Sequence, residues 1–584
     1  MKKKMLAAVM ALVLAFAPVA AFAAETEAYN GYEAYEAYEQ EIEAVDLVIS
    51  PFDWLRDILG DMRNVVLTPE AMALVLEDFD YLVEMILEVA PTRNILSRRV
   101  GMPAEDFFGA WRGIIEANVP VPSLLSVLEG GRWAEANDDD LYIAADYLYT
   151  VLLLISIEVG SLGHFSPQPY ELVSQTFLAG AQIMYHGIEL SEEEIDALVE
   201  LGLTLDQVAG LLDAAFRFQQ LHYDIYNTPS VLWFYDIDPS EFDMYLDPSA
   251  FLGFEDPNNV TTYIIEEGSV AYLRIASFLG NMVFDSETLL PFYEEIQDFD
   301  HLIIDLRGNG GGWVAYFPSL VFGMLMDEEV LFSSYEFFVA AERTEGFFIN
   351  PSSMVGGILY DIVPVAEFLA ERNMPYFNQA DLVLLDYVII RYDSHVPSEY
   401  ATPFGGKIWL LVDGGSASAS ENAANLSMAT GFATVVGEPT AGVTGVLYTF
   451  AAMPNTGILF RIDLGYTVDQ YGRSIEEFGV IPQILNAPGM DALETVLAII
   501  SGVEVEALEE VDPIIVINGV EYIALRFVAN MLGLDVEWDG ENNAVLILFD
   551  GEVLVVVYVS EYGTINDDGT VFITVEFAEE LFAA

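Results

Sequence analysis

The sequence predicts a multidomain chain with an N-terminal helical region, an α/β core and a small α+β module at the C-terminal end. Apolar residues recur at helical spacing within residues 47–225, as in EAMALVLEDFDYLVEMILEVA. Within residues 226–500, short β-rich runs such as HLIIDLR, KIWLLVD and ATVVGE alternate with helical or glycine-rich stretches, which is typical of an α/β sheet. Residues 512–584 read as strands around an Asn-Gly turn and one helix.

The composition limits the classes of partner. Hydrophobic residues make up 53% of the 584 residues, so most of the chain should be globular. The formal net charge is −73, which argues against nucleic acid and anionic membranes as partners and favours basic polypeptides. Cysteine is absent, which excludes disulfides, thiolate metal sites and a cysteine nucleophile.

The first residues have the pattern of a secretory signal peptide. Lys2, Lys3 and Lys4 precede an apolar stretch at 5–23 that ends in the small-x-small sequence Ala-Phe-Ala. We therefore expect a signal peptide at 1–23 and a secreted, extracellular or cell-surface protein. Residues 24–46 repeat tyrosine among glutamates and predict an acidic, Tyr-rich linker. We expect no further transmembrane segment, because acidic residues interrupt the later apolar runs.

A long insertion separates two predicted strands of the core. Residues 313–405 lie between HLIIDLR and KIWLLVD, and this segment is longer than an ordinary crossover connection. We interpret it as an inserted lid or substrate-binding element.

Two small-residue segments follow buried strands. The first, DLRGNGGG, contains Gly310, Gly311 and Gly312, whose backbone N–H groups could bind developing negative charge as an oxyanion hole. A plain tight turn is the alternative. A phosphate-binding loop is disfavoured because the P-loop lysine and Ser/Thr are missing. The second, GGSASASENAANL, offers Ser418 at a strand-to-helix turn. Ser416 and Ser420 are competing nucleophiles, and all three could instead be capping or packing serines.

These segments carry a resemblance to a known family. DLRGNGGG, SASASE and VVGEPTAG, in this order, resemble the serine peptidase family of carboxyl-terminal-processing (tail-specific) and tricorn-type proteases. The resemblance covers about residues 260–490. It implies a ClpP/crotonase-like β-α superhelix for the core and Ser418 as the nucleophile. It also implies an oxyanion hole formed by the N–H of Ala419 and a glycine N–H from 310–312.

The base of the processing proteases is missing. Their catalytic lysine directly follows the glycine of GEPTxG, where this chain has Val443. The single lysine after the signal peptide, Lys407, begins the strand KIWLLVD. A strand rises about 3.3 Å per residue, so Lys407 should lie at the end remote from Ser418. We therefore predict that lysine is not the base.

A histidine is the alternative base, and the chain has five. The tricorn-type branch resembles this chain at SLGH, which implies His164 as the base, with Ser166 as a weak assistant. His395, within the insertion, is the second candidate. In the same branch a glutamate precedes a Gly-Val-x-Pro element. The matching text IEEFGVIPQI implies Glu476, or alternatively Glu477, as the residue that orients the base or a neighbouring hydroxyl.

The C-terminal segment resembles the small copper amine oxidase N-terminal-like domain through INGVEYIALRFVANMLG and VEWD. It lacks histidine and cysteine, so we predict no metal site there, and we expect a role in cell-wall or surface attachment or in spacing. No cofactor is expected. The sequence thus favours a secreted serine-type endopeptidase acting on polypeptides. The alternatives are a catalytically inactive binding protein on the same fold and a surface protein whose C-terminal module is the functional part.

Overall fold

The computed structural model describes residues 63–128, 137–160, 162–168, 228–235, 256–341, 358–372, 374–398, 400–444, 448–487 and 489–503. It also describes residues 133 and 225 and the strand segments 354–355, 514–517, 520–524, 535–539, 544–549, 552–558, 563–565 and 571–574. The predicted signal peptide (1–23), the linker (24–46), His186 and His222 lie outside the described residues.

The helices are α1 (Pro69–Val89), α2 (Arg93–Val100), α3 (Ala104–Glu116), α4 (Leu124–Leu128), α5 (Asp140–Val159), α6 (Pro229–Phe234), α7 (Met282–Ile296), α8 (Gly323–Leu325), α9 (Val365–Glu371), α10 (Gln379–Leu382), α11 (Ala419–Thr430), α12 (Ile475–Phe478) and α13 (Ala492–Ile500). A π-helical turn, Pro318–Phe322, precedes α8.

The strands are β1 (Asn64–Val65), β2 (Val121–Pro122), β3 (Ser166–Pro167), β4 (Val260–Glu266), β5 (Val270–Ile275), β6 (His301–Asp305), β7 (Val330–Phe338), β8 (Met354–Val355), β9 (Ile358–Pro364), β10 (Tyr387–His395), β11 (Lys407–Val412), β12 (Thr434–Gly437), β13 (Tyr448–Ala452), β14 (Leu459–Asp463), β15 (Tyr466–Val468), β16 (Ile484–Leu485), β17 (Ile514–Ile517), β18 (Val520–Ala524), β19 (Asp535–Asp539), β20 (Ala544–Phe549), β21 (Glu552–Tyr558), β22 (Gly563–Ile565) and β23 (Val571–Thr574).

A six-stranded sheet in the order β16-β12-β11-β6-β5-β4 forms the centre of the core. All its neighbouring pairs are parallel except β4–β5. Successive residues of β6 point to opposite sides of the sheet, and helices cover both sides. Leu302 and Ile304 pack in a cluster with residues of α7 and α11, whereas Ile303 packs with residues of α13. The apolar runs read from the sequence are therefore strands of an α/β layer buried on both faces.

The N-terminal helices begin where their capping residues predict. Thr68 accepts a hydrogen bond from the N–H of Ala71 at 3.0 Å and precedes Pro69 at the start of α1. Asp139 caps α5 in the same way. The long helices α1 and α5 pack against each other.

The insertion is not an isolated lid. It contributes β7, β8, β9 and β10 to a five-stranded sheet in the order β15-β7-β10-β9-β8, whose edge strand β15 comes from the core. One hydrophobic cluster joins residues of α1, α3 and α5 to β7, β10 and the strands β13 to β15. The described N-terminal helices and the insertion therefore share a single apolar core, and the domain boundary expected at residues 225/226 stays a prediction.

The expectation of no further membrane-spanning segment stays a prediction. Helix α5 is long and apolar enough to cross a membrane by length and composition, although 78% of the apolar window is buried inside the structure. A helix that is apolar all round is also the normal core helix of a large globular domain. The contact with α1 is consistent with this second explanation.

The described strands of the C-terminal segment form two antiparallel sheets, in the orders β17-β18-β23-β22 and β19-β20-β21. The hairpin β17–β18 pairs Ile517 with Val520, on either side of the Asn-Gly dipeptide seen in the sequence.

Candidate active site

Three sequence motifs meet at one edge of the central sheet. The glycine cluster follows β6 and the serine run follows β11. The segment GEPTAG begins at the last residue of β12. Strand β11 pairs in parallel with both β6 and β12, so the carboxyl ends of all three strands lie at the same edge. The chain thereby brings segments more than 100 residues apart to one place.

Ser418 has a strained backbone at this edge. Its φ is 56° and its ψ is −117°, and among the described non-glycine residues only Asn118 shares a positive φ. Helix α11 begins at the next residue, Ala419. A non-glycine residue in this region costs about 1–3 kcal/mol and persists only where the surroundings enforce it. The sharp turn places a partly exposed serine at the N-terminus of a twelve-residue helix, where negative charge is favoured.

The glycine cluster contacts the serine turn directly. A methyl group built on Gly311, whose φ is +93°, would lie 2.7 Å from the carbonyl oxygen of Ala417, 2.8 Å from Ser418 Cβ and 2.9 Å from Ala419 N. The N–H of Gly311 itself donates to Asn309 Oδ1 at 2.9 Å, which removes it from the candidate oxyanion donors. Within the described residues, no backbone hydrogen bond uses the N–H of Gly310, Gly312 or Ala419.

The competing serines are inaccessible. Ser416 and Ser420 are both fully buried. Ser416 Oγ donates to the carbonyl of Leu306 at 2.8 Å and so ties the serine turn to the end of β6. Ser418 is therefore the one serine of the three that a polypeptide could reach.

His164 lies in the turn between α5 and β3 and is buried. Its Nδ1 is 2.9 Å from Asp463 Oδ2, and its backbone N–H donates to the same oxygen at 2.8 Å. Arg461 approaches the same ring nitrogen at 2.9 Å and donates through Nε to Asp463 Oδ1 at 3.1 Å. In the tautomer whose Nδ1–H donates to Asp463, Nε2 carries no proton and could accept one, and Arg461 then lies beside Nδ1 without donating to it.

The electrostatics of this cluster favour a neutral imidazole. Burial lowers the pKa of His164, and the Arg461 guanidinium lowers it further, so these effects outweigh Asp463, which raises it. Burial acts to raise the pKa of Asp463, but His164 and Arg461 together bring it below its ordinary value. A neutral histidine held by an ionised carboxylate is the state that a general base requires.

One backbone segment connects the histidine turn to the serine turn. The N–H of Gly163 donates to the carbonyl of Gly442 at 3.2 Å. The N–H of Gly442 donates to Glu421 Oε1 at 2.6 Å, and Glu421 Oε2 accepts the N–H of Ser418 at 3.1 Å. The chain thus places His164 and Ser418 on two turns that share hydrogen bonds with the same loop.

Glu476 does not hold the base. It is fully buried, and its carboxylate accepts the Thr444 hydroxyl at 2.9 Å and the N–H of Thr467 at 2.9 and 3.0 Å. The carboxylate in contact with His164 is that of Asp463, and the expectation that Glu476 orients the base or a neighbouring hydroxyl stays a prediction. Burial raises the pKa of Glu476 to about 8.

The other acidic candidate, Glu477, forms an ion pair with a helix of the N-terminal region. Arg98 on α2 donates to both of its oxygens at 2.7 Å and to both oxygens of Asp381 at 2.9 Å. Arg99, the next residue, donates to the carbonyl of Glu476 at 2.6 Å. Both arginines therefore fix α12 to α2, and the carboxylate of Glu477 is paired with Arg98.

The second candidate base, His395, ends β10 and packs its ring against Phe322 at 5.2 Å. It lines a groove beside the first turns of α11, together with Ala419 and Asn422. Ser166 lies in β3, where it pairs with Arg461 in the register of the sheet. It is buried, and its hydroxyl is 3.5 Å from Gln168 Nε2.

The position of the lysine agrees with the sequence prediction. Lys407 pairs with His301 at the amino-terminal ends of β11 and β6, whereas Ser418 follows the carboxyl end of β11. Its ammonium lies 3.8 Å from the ring centroid of Trp409. Val443, at the position of the family lysine, is nearly buried and donates its N–H to Glu421 Oε2 at 2.7 Å.

Comparison with known proteins identifies the two segments that the motifs indicated. The family model described as peptidase family S41 matches residues 269–485, which include the glycine cluster, Ser418 and Asp463. Residues 269–485 are therefore similar to peptidase family S41, which supports a peptidase. The model described as copper amine oxidase N-terminal domain matches residues 497–580. The two matches follow each other along the chain, and His164 lies outside both matched ranges.

Solved structures show distant likeness. The photosystem II D1 C-terminal processing protease is 18% identical over 42% of this chain and 53% of its own, with a TM-score of 0.26, so this chain spans about half its length. A putative peptidase from Parabacteroides merdae is 16% identical over 56% of this chain and 96% of its own, with a TM-score of 0.30. Mature CPAF complexed with lactacystin is 13% identical over 74% of this chain and 98% of its own, with a TM-score of 0.38.

Sequence reasoning missed three residues of the candidate site. Arg461 and Asp463 are two residues apart on β14, so both side chains lie on one face of the strand. Only the pairing of β14 with β3 reveals that this face meets His164. Glu421 had a local signal, since Ser418 and Glu421 have the spacing of a capping box.

Proposed function

We propose that this protein is a secreted serine-type endopeptidase that hydrolyses peptide bonds in polypeptides. Ser418 Oγ attacks the peptide carbonyl, and His164 accepts the hydroxyl proton and returns it to the leaving amine. Asp463 holds the imidazole through Nδ1. The N–H of Ala419, with that of Gly310 or Gly312, binds the oxyanion. The finer fold expectation, a β-α superhelix of the ClpP/crotonase type, stays a prediction.

The contact between Gly311 and the Ser418–Ala419 turn supports this proposal most directly. A glycine cluster can supply oxyanion donors only if its backbone comes within contact distance of the nucleophile, and here even one methyl group would not fit between them. The strained φ of Ser418 supports it independently, because such strain is concentrated at functional sites.

Secretion is proposed from the signal-peptide pattern at 1–23, and a role in surface attachment from the C-terminal module. The strong negative charge favours basic polypeptides as substrates, since a charged surface attracts substrates of opposite sign. A panel of matched basic, neutral and acidic peptides at two salt concentrations tests this. A preference for basic peptides that salt weakens is expected, whereas equal rates would contradict it.

A fluorophosphonate probe tests the mechanism, because it reacts covalently only with an activated serine. Wild-type protein should be labelled and should cleave a fluorescent casein, and Ser418→Ala should do neither. His164→Ala should lose labelling, whereas His395→Ala should retain it. Labelling that survives His164→Ala and disappears in His395→Ala would assign the base to His395.

A catalytically inactive binding protein is the second candidate. It is favoured by Val443 at the position where the processing branch of the family has its lysine. This alternative predicts no labelling of a well-folded wild-type protein, together with saturable binding of apolar peptides that Ser418→Ala leaves unchanged.

A further inference from the structure

The buried carboxylate of Glu421 binds four hydrogen-bond donors. Oε1 accepts the Thr440 hydroxyl and the N–H of Gly442, both at 2.6 Å. Oε2 accepts the N–H of Val443 at 2.7 Å and the N–H of Ser418 at 3.1 Å. The side chain is fully buried, and all four contacts are uncharged donors.

These contacts join the nucleophile to the base. One donor belongs to Ser418 itself, and the other three belong to the loop after β12, hereafter the 440–443 loop. The carbonyl of Gly442 in that loop accepts the N–H of Gly163, which directly precedes His164. Glu421 is thus the side chain through which the serine turn is held to the loop that also holds the histidine turn.

We propose that Glu421 is a positioning residue, whose ionised carboxylate fixes the Ser418 turn relative to the His164 turn. This inference rests on the proposed serine-peptidase function, but it does not follow from it. A carboxylate only accepts hydrogen bonds, so it can satisfy four donors at once. A protonated acid or a glutamine would aim one of its own hydrogens at an N–H or hydroxyl donor and leave part of the 440–443 loop unpaired.

The ionisation of Glu421 should therefore change the rate of fluorophosphonate labelling at Ser418. Burial raises its pKa to about 7, although the hydrogen bonds from Thr440, Gly442, Val443 and Ser418 each lower it. The acid form, which prevails below that pH, disrupts the loop. The pKa of His164 lies below its ordinary value, so the base loses its activity only at lower pH.

No charged group is hydrogen-bonded to Glu421 among the described residues. The ionisable groups on the neighbouring elements are His164 beyond Gly163, Glu476 on α12, Glu438 after β12, and the Glu336–Arg391 pair on β7 and β10.

The experiment measures the second-order rate of fluorophosphonate labelling from about pH 5 to 9, with KM and kcat for peptide cleavage measured alongside. Wild-type labelling should fall on the acid side with a midpoint near the pKa of Glu421, about 7. Glu421→Gln should label roughly 10–100-fold more slowly at high pH, and its remaining acid limb should move to lower pH, set by His164. We expect kcat to fall and KM to change little. Glu438→Gln, an exposed carboxylate after the same strand, is the matched control and should behave as wild type.

Thr440→Val gives a test in the opposite direction. It removes a hydrogen bond that lowers the pKa of Glu421, so the acid limb of labelling should move to higher pH while the protein remains active. Thr440→Ser keeps the hydroxyl and should restore the wild-type profile. This pair keeps the proposal testable if Glu421→Gln does not fold.

Two results would overturn the inference. The first is a Glu421→Gln protein with wild-type rate and profile. The second is a slower Glu421→Gln protein whose acid limb does not move, since a purely structural role would produce that pattern. Neither result touches the proposed function, which fails only if the wild-type protein itself is not labelled at Ser418.

Discussion

Replacing Gly311 with alanine should inactivate the peptidase site without unfolding the protein. The new methyl group would lie 2.7–2.9 Å from three atoms of the turn that carries Ser418, whereas ordinary contact begins at 3.4 Å. The Ser418 turn must therefore retreat from the glycine cluster by about 0.5–0.7 Å. The positive φ of Gly311 adds about 1–3 kcal/mol of backbone strain, and the overpacking adds a similar amount.

This displacement of the Ser418 turn changes the positions of the oxyanion donors. Both the N–H of Ala419 and the N–H groups beside Gly311 must converge on one oxygen, so a shift of this size misaligns at least one donor. Loss of a single oxyanion donor lowers kcat by about 10²–10³-fold. We therefore expect fluorophosphonate labelling and casein cleavage to fall at least 100-fold, with a far-UV circular dichroism spectrum close to that of the wild type.

Gly308→Ala is the matched control for this experiment. Gly308 lies in the same loop with a φ of +70°, but a methyl group there would meet no atom within 4 Å. It should cost about 1–2 kcal/mol of stability from backbone strain and change labelling only a few-fold. The reasoning is refuted if folded Gly311→Ala labels at the wild-type rate, or if both variants lose activity equally.

Four further outcomes follow from the geometry. Asp463→Asn should slow labelling by about 10²–10⁴-fold, since it destabilises the productive tautomer of His164. Glu476→Gln should slow labelling far less, and a stopped-flow labelling assay that finds the reverse order would show that Glu476 orients the base. Because burial raises the pKa of Glu476 to about 8, its contribution to stability is greatest below pH ~4.5 and is lost as the pH rises through 8, so the wild-type Tm should drop more between pH 5 and 9 than that of Glu476→Gln. Arg98→Met should cost about 2–4 kcal/mol in urea unfolding, because it leaves two carboxylates unpaired; a loss below 0.5 kcal/mol would contradict the pairing seen here. Lys407→Met should label at the wild-type rate, whereas a loss of labelling in this variant would reinstate a lysine mechanism.

The part of the site on the central sheet could be predicted from the sequence because its determinants are local. Buried apolar runs indicated parallel strands, and parallel strands present their carboxyl ends at one edge. The glycine cluster and the serine run both follow such strands, so both were expected at the same edge, although the structure was needed to show that β6 and β11 are neighbours. The remote position of Lys407 followed from the rise per residue along β11 alone.

The acid partner of the base could not be predicted in this way. Asp463 and His164 are separated by 299 residues, and their contact depends on the pairing of the two-residue strand β3 with β14. So short a strand has no periodicity to recognise. The sequence contains many acidic residues, 93 in all, so the presence of a carboxylate near a histidine carried little information.

The packing partners of the insertion and the N-terminal helices could not be predicted from the sequence either. An apolar face predicts that a helix or strand is buried but not which partner buries it. The two regions were assigned to separate units by their positions in the sequence, yet their apolar residues form one cluster with β13 to β15. Membrane-like composition in α5 has the same origin, because the helix is surrounded by that cluster on nearly every side.

This shared core explains why the proposed base lies outside the range that the S41 family model matches. His164 follows α5, whose residues pack with α1 and with strands of the insertion, so the N-terminal region helps to place the imidazole, together with Asp463 and Arg461 on β14. Arg98 and Arg99 on α2, also in the N-terminal region, bind α12. In the proposed mechanism, the central sheet supplies the nucleophile turn and the oxyanion donors, and the turn after α5 supplies the base. Among the described residues, hydrogen bonds around the 440–443 loop connect these two parts.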